Sequence, residues 1–243
     1  MKVDRSLLAA LAALALAAAW LVARGAPLAV AQAPPANAQL RIVHAEAGVP
    51  AVDVLVDDAL AVPALGFGRD SGYLVLPSGP HNVALAPSGT PPDEASVQEL
   101  RLATGHLYTV VALAAPAAPL ALDDESLAPV GGPALIRLVH GAPDAPPLVL
   151  TVADAATSPV AYGEASAYAD APGGTRPLVL RLAGSGATVA SIPDATLAAD
   201  RAYTFIAVGG GRSSALSILP LLDATAPGVP PVHRLPGLAS AQP

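Results

Sequence analysis

The sequence predicts an all-β protein: two tandem antiparallel β-sandwich domains, immunoglobulin-like or transthyretin-like, behind an N-terminal signal helix. Three observations carry that expectation. One stretch occurs twice, as Leu40-Arg41-Ile42-Val43-His44 with Pro50-Ala51-Val52-Asp53-Val54 behind it, and as Ile136-Arg137-Leu138-Val139-His140 with Ala142-Pro143-Asp144-Ala145-Pro146 behind it. Three landmarks recur at almost constant offset, 96 residues from His44 to His140, 95 from Tyr73 to Tyr168 and 95 from Tyr108 to Tyr203. Between the landmarks, apolar residues alternate with period 2 over short runs closed by Pro, Gly, Ser and Asp, the pattern of strands and turns rather than of helices.

The 243 residues are 53% hydrophobic, enough to fill packed cores and too apolar for a disordered chain. Cysteine is absent, which removes disulfides, thiolate metal ligands and a cysteine nucleophile. Lys2 and Arg5 precede an apolar run from Leu7 to Val22, and small residues follow at Ala29-Val30-Ala31 and Ala36-Asn37-Ala38, the order of an export signal. Residues 1–31 are therefore read as a signal peptide, with mature ends expected near Gln32 or Gln39; the rival is an uncleaved anchor. Removing Lys2, Arg5, Arg24 and Asp4 from twelve cations and nineteen acids leaves nine arginines and eighteen acids, a net charge of −9 with no lysine. That balance argues against nucleic acid or an anionic membrane face as partner. The expected setting is secreted or cell-envelope, periplasmic or extracellular, with no membrane span in the mature chain.

In chain order, residues 32–38 read as a flexible leader and residues 39–125 as the first sandwich. Its strands are expected at 40–44, where Leu40, Ile42 and His44 share one face and Arg41 and Val43 the other, then at 52–56, 72–76, 81–86, 96–102 and 107–113. Residues 57–71 read as an acidic strand end and a Gly-containing loop. Asp123 to Pro133 is charged, then rich in Pro and Gly, and holds the boundary, with a linker over 126–133. The second sandwich spans 134–223, and 224–243 is a Pro-rich tail without periodic pattern, read as disordered.

Several residues invite a chemical reading. His44 and His140 close equivalent strands, yet neither corner supplies the further His or Cys that a metal site needs, so each imidazole is expected to fix its corner by hydrogen bonds to backbone. Pro50, Asp53, Asp144 and Pro146 belong to the same structural corners, Asp144 as a turn former. Asp53, Asp57 and Asp58 lack the spacing of a calcium loop, and Asp123-Asp124-Glu125 is the better acidic cluster for Ca²⁺. Tyr73, Tyr108, Tyr168 and Tyr203 are read as core or corner tyrosines whose hydroxyls cap backbone groups. Gly209-Gly210-Gly211 is read as a hairpin loop, and Asp93-Glu94 as solvated loop charges. The sequence carries no Gly-x-Ser-x-Gly, His-Glu-x-x-His or phosphate-cradling loop before a helix. No cofactor, metal or catalytic residue is assigned.

The Arg-Ile-Val-His corner with its Pro-Ala-Val-Asp-Val continuation, the Gly72-Tyr73-x-x-Leu76-Pro77-x-Gly79 turn and the run Gly105-His106-Leu107-Tyr108-Thr109-Val110-Val111 resemble tandem copies of the bacterial secreted family called domain of unknown function 4397, over about 39–125 and 134–223. In that family the corner usually reads His-Ala-Ser-Pro-Asp-Ala-Pro-Ala-Val-Asp-Val. Here the pattern is divided: the first copy has Glu46-Ala47-Gly48 before its Pro50-Ala51-Val52-Asp53-Val54, and the second has Val149 where the aspartate would stand. The resemblance implies an exported, surface-associated β-domain without an assigned biochemical role. The expected function is that of a non-enzymatic structural or interaction module whose partner is a protein or glycan at the cell surface. A sugar- or peptide-binding module using sandwich-end loops is the rival, weakened for sugars because the only Trp, Trp20, lies in the signal and Phe67 and Phe205 are the only Phe. A hydrolase with an unrecognised site is the second rival.

Overall fold

Sixteen strands and no helix make up the described part of a computed structural model, residues 37–46, 48–90, 95–124, 132–209 and 215–223. All of them belong to one compact unit, Ala36–Pro243. Residues 1–31, expected above as a signal peptide, most of 32–38 and 126–133, Asp93-Glu94 and residues 224–243 lie outside the described residues.

The first half contributes β1 (Asn37–His44), β2 (Ala51–Val56), β3 (Ala59–Gly66), β4 (Asp70–Pro77), β5 (Gly79–Pro87), β6 (Ser96–Leu102), β7 (Leu107–Ala112) and β8 (Leu120–Asp123). The second contributes β9 (Ala134–His140), β10 (Leu148–Val152), β11 (Ala155–Ala156), β12 (Ala169–Ala171), β13 (Gly174–Leu182), β14 (Thr188–Leu197), β15 (Ala202–Val208) and β16 (Ser217–Leu222). They form four open four-stranded sheets: an inner sheet β4-β1-β7-β8 and an outer sheet β3-β2-β5-β6 in the first half, and the corresponding inner β12-β9-β15-β16 and outer β11-β10-β13-β14 in the second. No described strand of one half joins a sheet of the other.

Two features depart from the expected pattern. The inner sheets are mixed, not purely antiparallel, because β1 pairs parallel with β7 and β9 parallel with β15. And residues 59–66, read from the sequence as loop, form β3, an edge strand that tolerates Pro63 because one side of an edge needs no ladder donor. Asp57 and Asp58 are the two central residues of the β2–β3 hairpin, with φ of +50° and +65°, values a two-residue primed turn demands and Asp accepts more readily than most residues.

The Leu-Pro-x-Gly turn moves the chain from the inner sheet to the outer one. Gly79 has φ +138° at the start of β5, and Gly174 has φ +108° at the start of β13, backbone that a side chain would strain.

Three apolar clusters layer the molecule. Leu40, Ile42 and Val110 of the first inner sheet meet Val52, Val54, Val83 and Leu85 of its outer sheet. Ile136, Leu138 and Phe205 meet Leu148, Leu150, Leu178 and Leu180 in the second half. Between them lies a third cluster, in which Val43, Val111 and Leu122 of one inner sheet pack on Val139, Ile206 and Leu221 of the other. The order of layers is therefore outer, inner, inner, outer. β9 and β15 are buried at every residue, as expected for strands covered on both faces.

Gly141 sits in this central layer. A Cβ there would meet the Ala207 carbonyl oxygen at 3.0 Å, Leu113 Cδ2 at 3.3 Å and Ala45 Cβ at 3.5 Å, the last two from the other half. Gly141→Ala is therefore expected to lower stability by about 1 kcal/mol, the lower end of overpacking costs, read from the midpoint of urea unfolding.

Candidate functional site

The corner after β1 is built around the His44 ring, which is fully buried. Its Nε2–H donates to the Val49 carbonyl at 2.9 Å, and its Nδ1 accepts from the Glu46 amide at 3.4 Å. His140 repeats the arrangement after β9, donating to the Pro146 carbonyl at 3.1 Å and accepting from the Ala142 amide at 3.3 Å. An amide N–H pointing at Nδ1 fixes the neutral Nε2–H tautomer, since a doubly protonated ring has nothing there to accept with. Burial holds both pKa values below the ordinary histidine value, against the pull of the carbonyls of Val49 and Pro146. Phe67 and Tyr162 stand edge-on to the two rings, with centroids at 5.9 and 6.1 Å. Both ring nitrogens are committed to backbone in each corner.

The remaining corner residues scatter. Pro50 opens toward β2, and its carbonyl accepts the Phe67 amide at 3.0 Å. Pro146 and Asp144 lie exposed in the second corner. Asp53 does not join His44; it sits on the outer face of β2, where it accepts from the Ala64 amide, the Ser88 hydroxyl and the Gly89 amide, and the Ser88 hydrogen bond first, then those amides, keep its pKa below the ordinary carboxylate value. Tyr108 and Tyr203 cap backbone, each accepting an amide hydrogen from a neighbouring loop, Ala103 N at 3.1 Å and Ala198 N at 2.9 Å.

Tyr73 and Tyr168 do something else. Their hydroxyls donate to Asp124 at 3.2 Å and to Asp223 at 2.7 Å, in a polar centre set within the central layer. Nothing in the sequence pairs Arg41 or Arg137 with these aspartates. Arg41 Nη2 donates to Asp223 at 2.7 Å and to Asp124 at 3.5 Å, its Nε and Nη2 reach the Thr109 hydroxyl at 3.0 and 2.8 Å, and Nη1 reaches the Leu222 carbonyl at 3.0 Å. Arg137 mirrors it, donating to Asp124, to the Thr204 hydroxyl at 3.0 and 2.8 Å, and to the Asp123 carbonyl at 3.3 Å. Thr109 and Thr204 pass their own hydrogens to Asp124 and Asp223. Each guanidinium also lies over a tyrosine ring, Arg41 over Tyr73 at 4.8 Å and Arg137 over Tyr168 at 4.6 Å.

The pairing is crossed. Each arginine makes its closest carboxylate contact with the aspartate of the other half, Arg41 with Asp223 and Arg137 with Asp124. Both carboxylates are wholly excluded from solvent and the two charges of each sign cancel. Burial, then Asp223, push the Asp124 carboxyl up, while Arg137 and Arg41 pull it back; burial opposes the Arg41 charge, yet Asp223 and its neighbours hold that pKa above the ordinary value. Among the described residues no buried side-chain nitrogen or oxygen lacks a partner. Asp124, part of the cluster best placed for Ca²⁺ in the sequence, is instead occupied by two guanidiniums.

A third histidine was not singled out in the sequence. His81 Nδ1 faces Asp57 Oδ2 at 2.7 Å and Nε2 faces the Pro77 carbonyl at 2.8 Å, two acceptors, so the ring is positioned to carry both protons. Burial opposes that charge, but the Pro77 carbonyl and Asp57 raise the pKa above the usual histidine value. Stability from this contact is fully present below the unfolded value, about 6.5, and lost as pH rises through the folded one. An NMR titration is expected to place His81 above 6.5, and His81→Gln to remove that alkaline loss.

No curated protein matches the chain. The model of one family, Domain of unknown function (DUF4397), matches residues 38–151, from β1 into β10.

Proposed function

We propose that this is an exported, non-enzymatic protein of two tandem domains of the DUF4397 type, each an immunoglobulin-like or transthyretin-like β-sandwich, serving as a structural or interaction module at the cell envelope or outside the cell. The observation that carries the reading is the crossed Arg41, Asp223, Arg137 and Asp124 centre, in which the buried arginines and aspartates of the described residues join the halves. A body whose polar interior is devoted to coupling its own layers holds two outer sheets at a fixed separation, the property a spacer or docking module needs. The matching strand orders of the two inner and the two outer sheets support the tandem reading. Export rests on the charged, then apolar, then small-residue order of residues 1–31. Ala38 is buried in β1, so cleavage before Gln32 suits the fold better than cleavage before Gln39, which would strip a core residue.

Cell fractionation of a C-terminally tagged chain, followed by terminal sequencing, tests this. The expected result is an envelope or extracellular product beginning near Gln32. A cytoplasmic product retaining Lys2 would overturn export, and a glycan-array signal abolished by loop substitutions would replace the structural reading with that of a carbohydrate-binding module.

A further inference from the structure

The outer sheet of the first half carries an apolar row from edge to edge. Leu60 of β3 pairs with Leu55 of β2, Leu55 pairs with Ala84 of β5, and Ala84 pairs with Val97 of β6. Paired residues share a face, and Val54, Val83 and Leu85, the chain neighbours of Leu55 and Ala84, point into the core, so the row lies on the outward face. Its ends are the most open, Leu60 at 58% and Val97 at 62% exposure. The equivalent row in the second half, by the same pairing, is Ala156, Thr151, Val179 and Ser191. That row is small or polar at three of four positions. The apolar row is thus not a by-product of the repeated fold, which works without it.

Acids border the row. Along the next register position lie Asn82 paired with Glu99, and beside them the exposed turn residues Asp57 and Asp58; on the other side lies Asp53. Arg101, two residues beyond Glu99 on β6, is a cation on this face, and so is Arg69, whose Cγ packs 3.7 Å from where Gly66, the partner of Ala51, would carry a side chain. A second copy laid on the row would set Asp53, Asp58 and Glu99 against their own kind, in a chain whose net charge is already −7.

Resting on the interaction-module reading, we propose that this outer face docks a cationic amphipathic helix of a partner protein, laid across the strands. The spacing suits it: neighbouring strands are about 4.8 Å apart, and a helix returns an apolar side chain about every 5.4 Å of its length. Leu60, Leu55 and Val97 supply the contact, Ala84 leaves room for one large partner side chain, and flanking Lys or Arg meets Asp53, Asp58 and Glu99.

The test uses the mature chain and a fluorescein-labelled helical peptide with Leu at i, i+4, i+7 and i+11 flanked by Lys, with a Glu-flanked peptide of the same Leu pattern as control. Anisotropy should show binding of the Lys peptide, at least about tenfold weaker binding by a Leu60→Thr, Val97→Thr variant, and far weaker binding of the Glu peptide. An unchanged melting temperature shows that the variant folds, as expected for two exposed positions, and NMR shifts confined to β2, β3, β5 and β6 serve as the second readout on unsubstituted protein. Absence of binding, equal binding by the variant, or equal binding of the Glu peptide overturns the proposal. So does a concentration-dependent dimer abolished by the same substitutions, which would make a second copy the occupant. None of these outcomes bears on export, which fractionation decides separately.

Discussion

Asp124→Ala is expected to destabilise the protein by about 3–5 kcal/mol, the cost of removing one partner from a buried ionic group. The carboxylate accepts from Arg41, Arg137, Thr109 and Tyr73, and without it the centre holds two guanidiniums against one carboxylate. Asp223→Ala should cost a similar amount for the mirrored reason. The crossed geometry makes a sharper claim. Replacing Arg41 with Met together with Asp223 with Leu removes one charge of each sign, so the double variant should lose clearly less than the sum of its single variants. Guanidinium unfolding at pH 7 checks all three. A loss below about 1 kcal/mol for Asp124→Ala would mean that water reaches the centre and screens it.

Substituting the corner histidines comes next in size. His140→Ala and His44→Ala should each cost about 1–3 kcal/mol, because each removes a donor to a carbonyl and an acceptor for an amide. His140 should cost the more of the two. Its amide partner belongs to fully buried Ala142, whereas that of His44 belongs to half-buried Glu46, which water can reach. The pH dependence follows from the direction of the shifts. Both rings have folded pKa values below the unfolded value of about 6.5, so the unfolded chain binds the extra protons first, and stability is lost as pH falls from about 6.5. Unfolding midpoints at pH 7 and pH 5 should therefore differ less in a His44→Gln, His140→Gln protein than in the original. Chelators should leave the melting temperature unchanged, since both nitrogens of each ring face backbone; a fall reversed by Zn²⁺ or Ca²⁺ would contradict the corner role.

Strand positions and turns were legible locally. Leu40, Ile42, Val52, Val54 and Val56 announced their inward face by alternation, and Pro77-Ser78-Gly79 announced the turn by composition, because side-chain period and φ preference are properties of a few consecutive residues. The edge strand β3 was hidden because Pro63, Gly66 and Gly68 carry turn signals, and pairing with β2 overrode them. His44 and His140 bond backbone carbonyls only five and six residues further along the chain, within reach of a local reading. The partners of Tyr73 and Tyr168 were not legible, since nothing near either tyrosine in sequence reveals a carboxylate 51 or 55 residues away.

That the described residues are all β, that the Arg-x-Val-His stretch occurs twice, and where most strands run can be read from periods and spacings along the chain. What the second face of each inner sheet does depends on how the two sheets pack. Arg41 and Arg137 look like solvent-facing charges on half-buried strands until the two inner sheets meet. Asp124 and Asp223, which sit just past the ends of β8 and β16, look like boundary acids until each lies between guanidiniums of both halves. The physical reason is that a buried charge is tolerated only where its counter-charge is placed within hydrogen-bonding distance. That placement is a property of two sheets packed together, 182 residues apart in sequence for Arg41 and Asp223, and no local pattern encodes it.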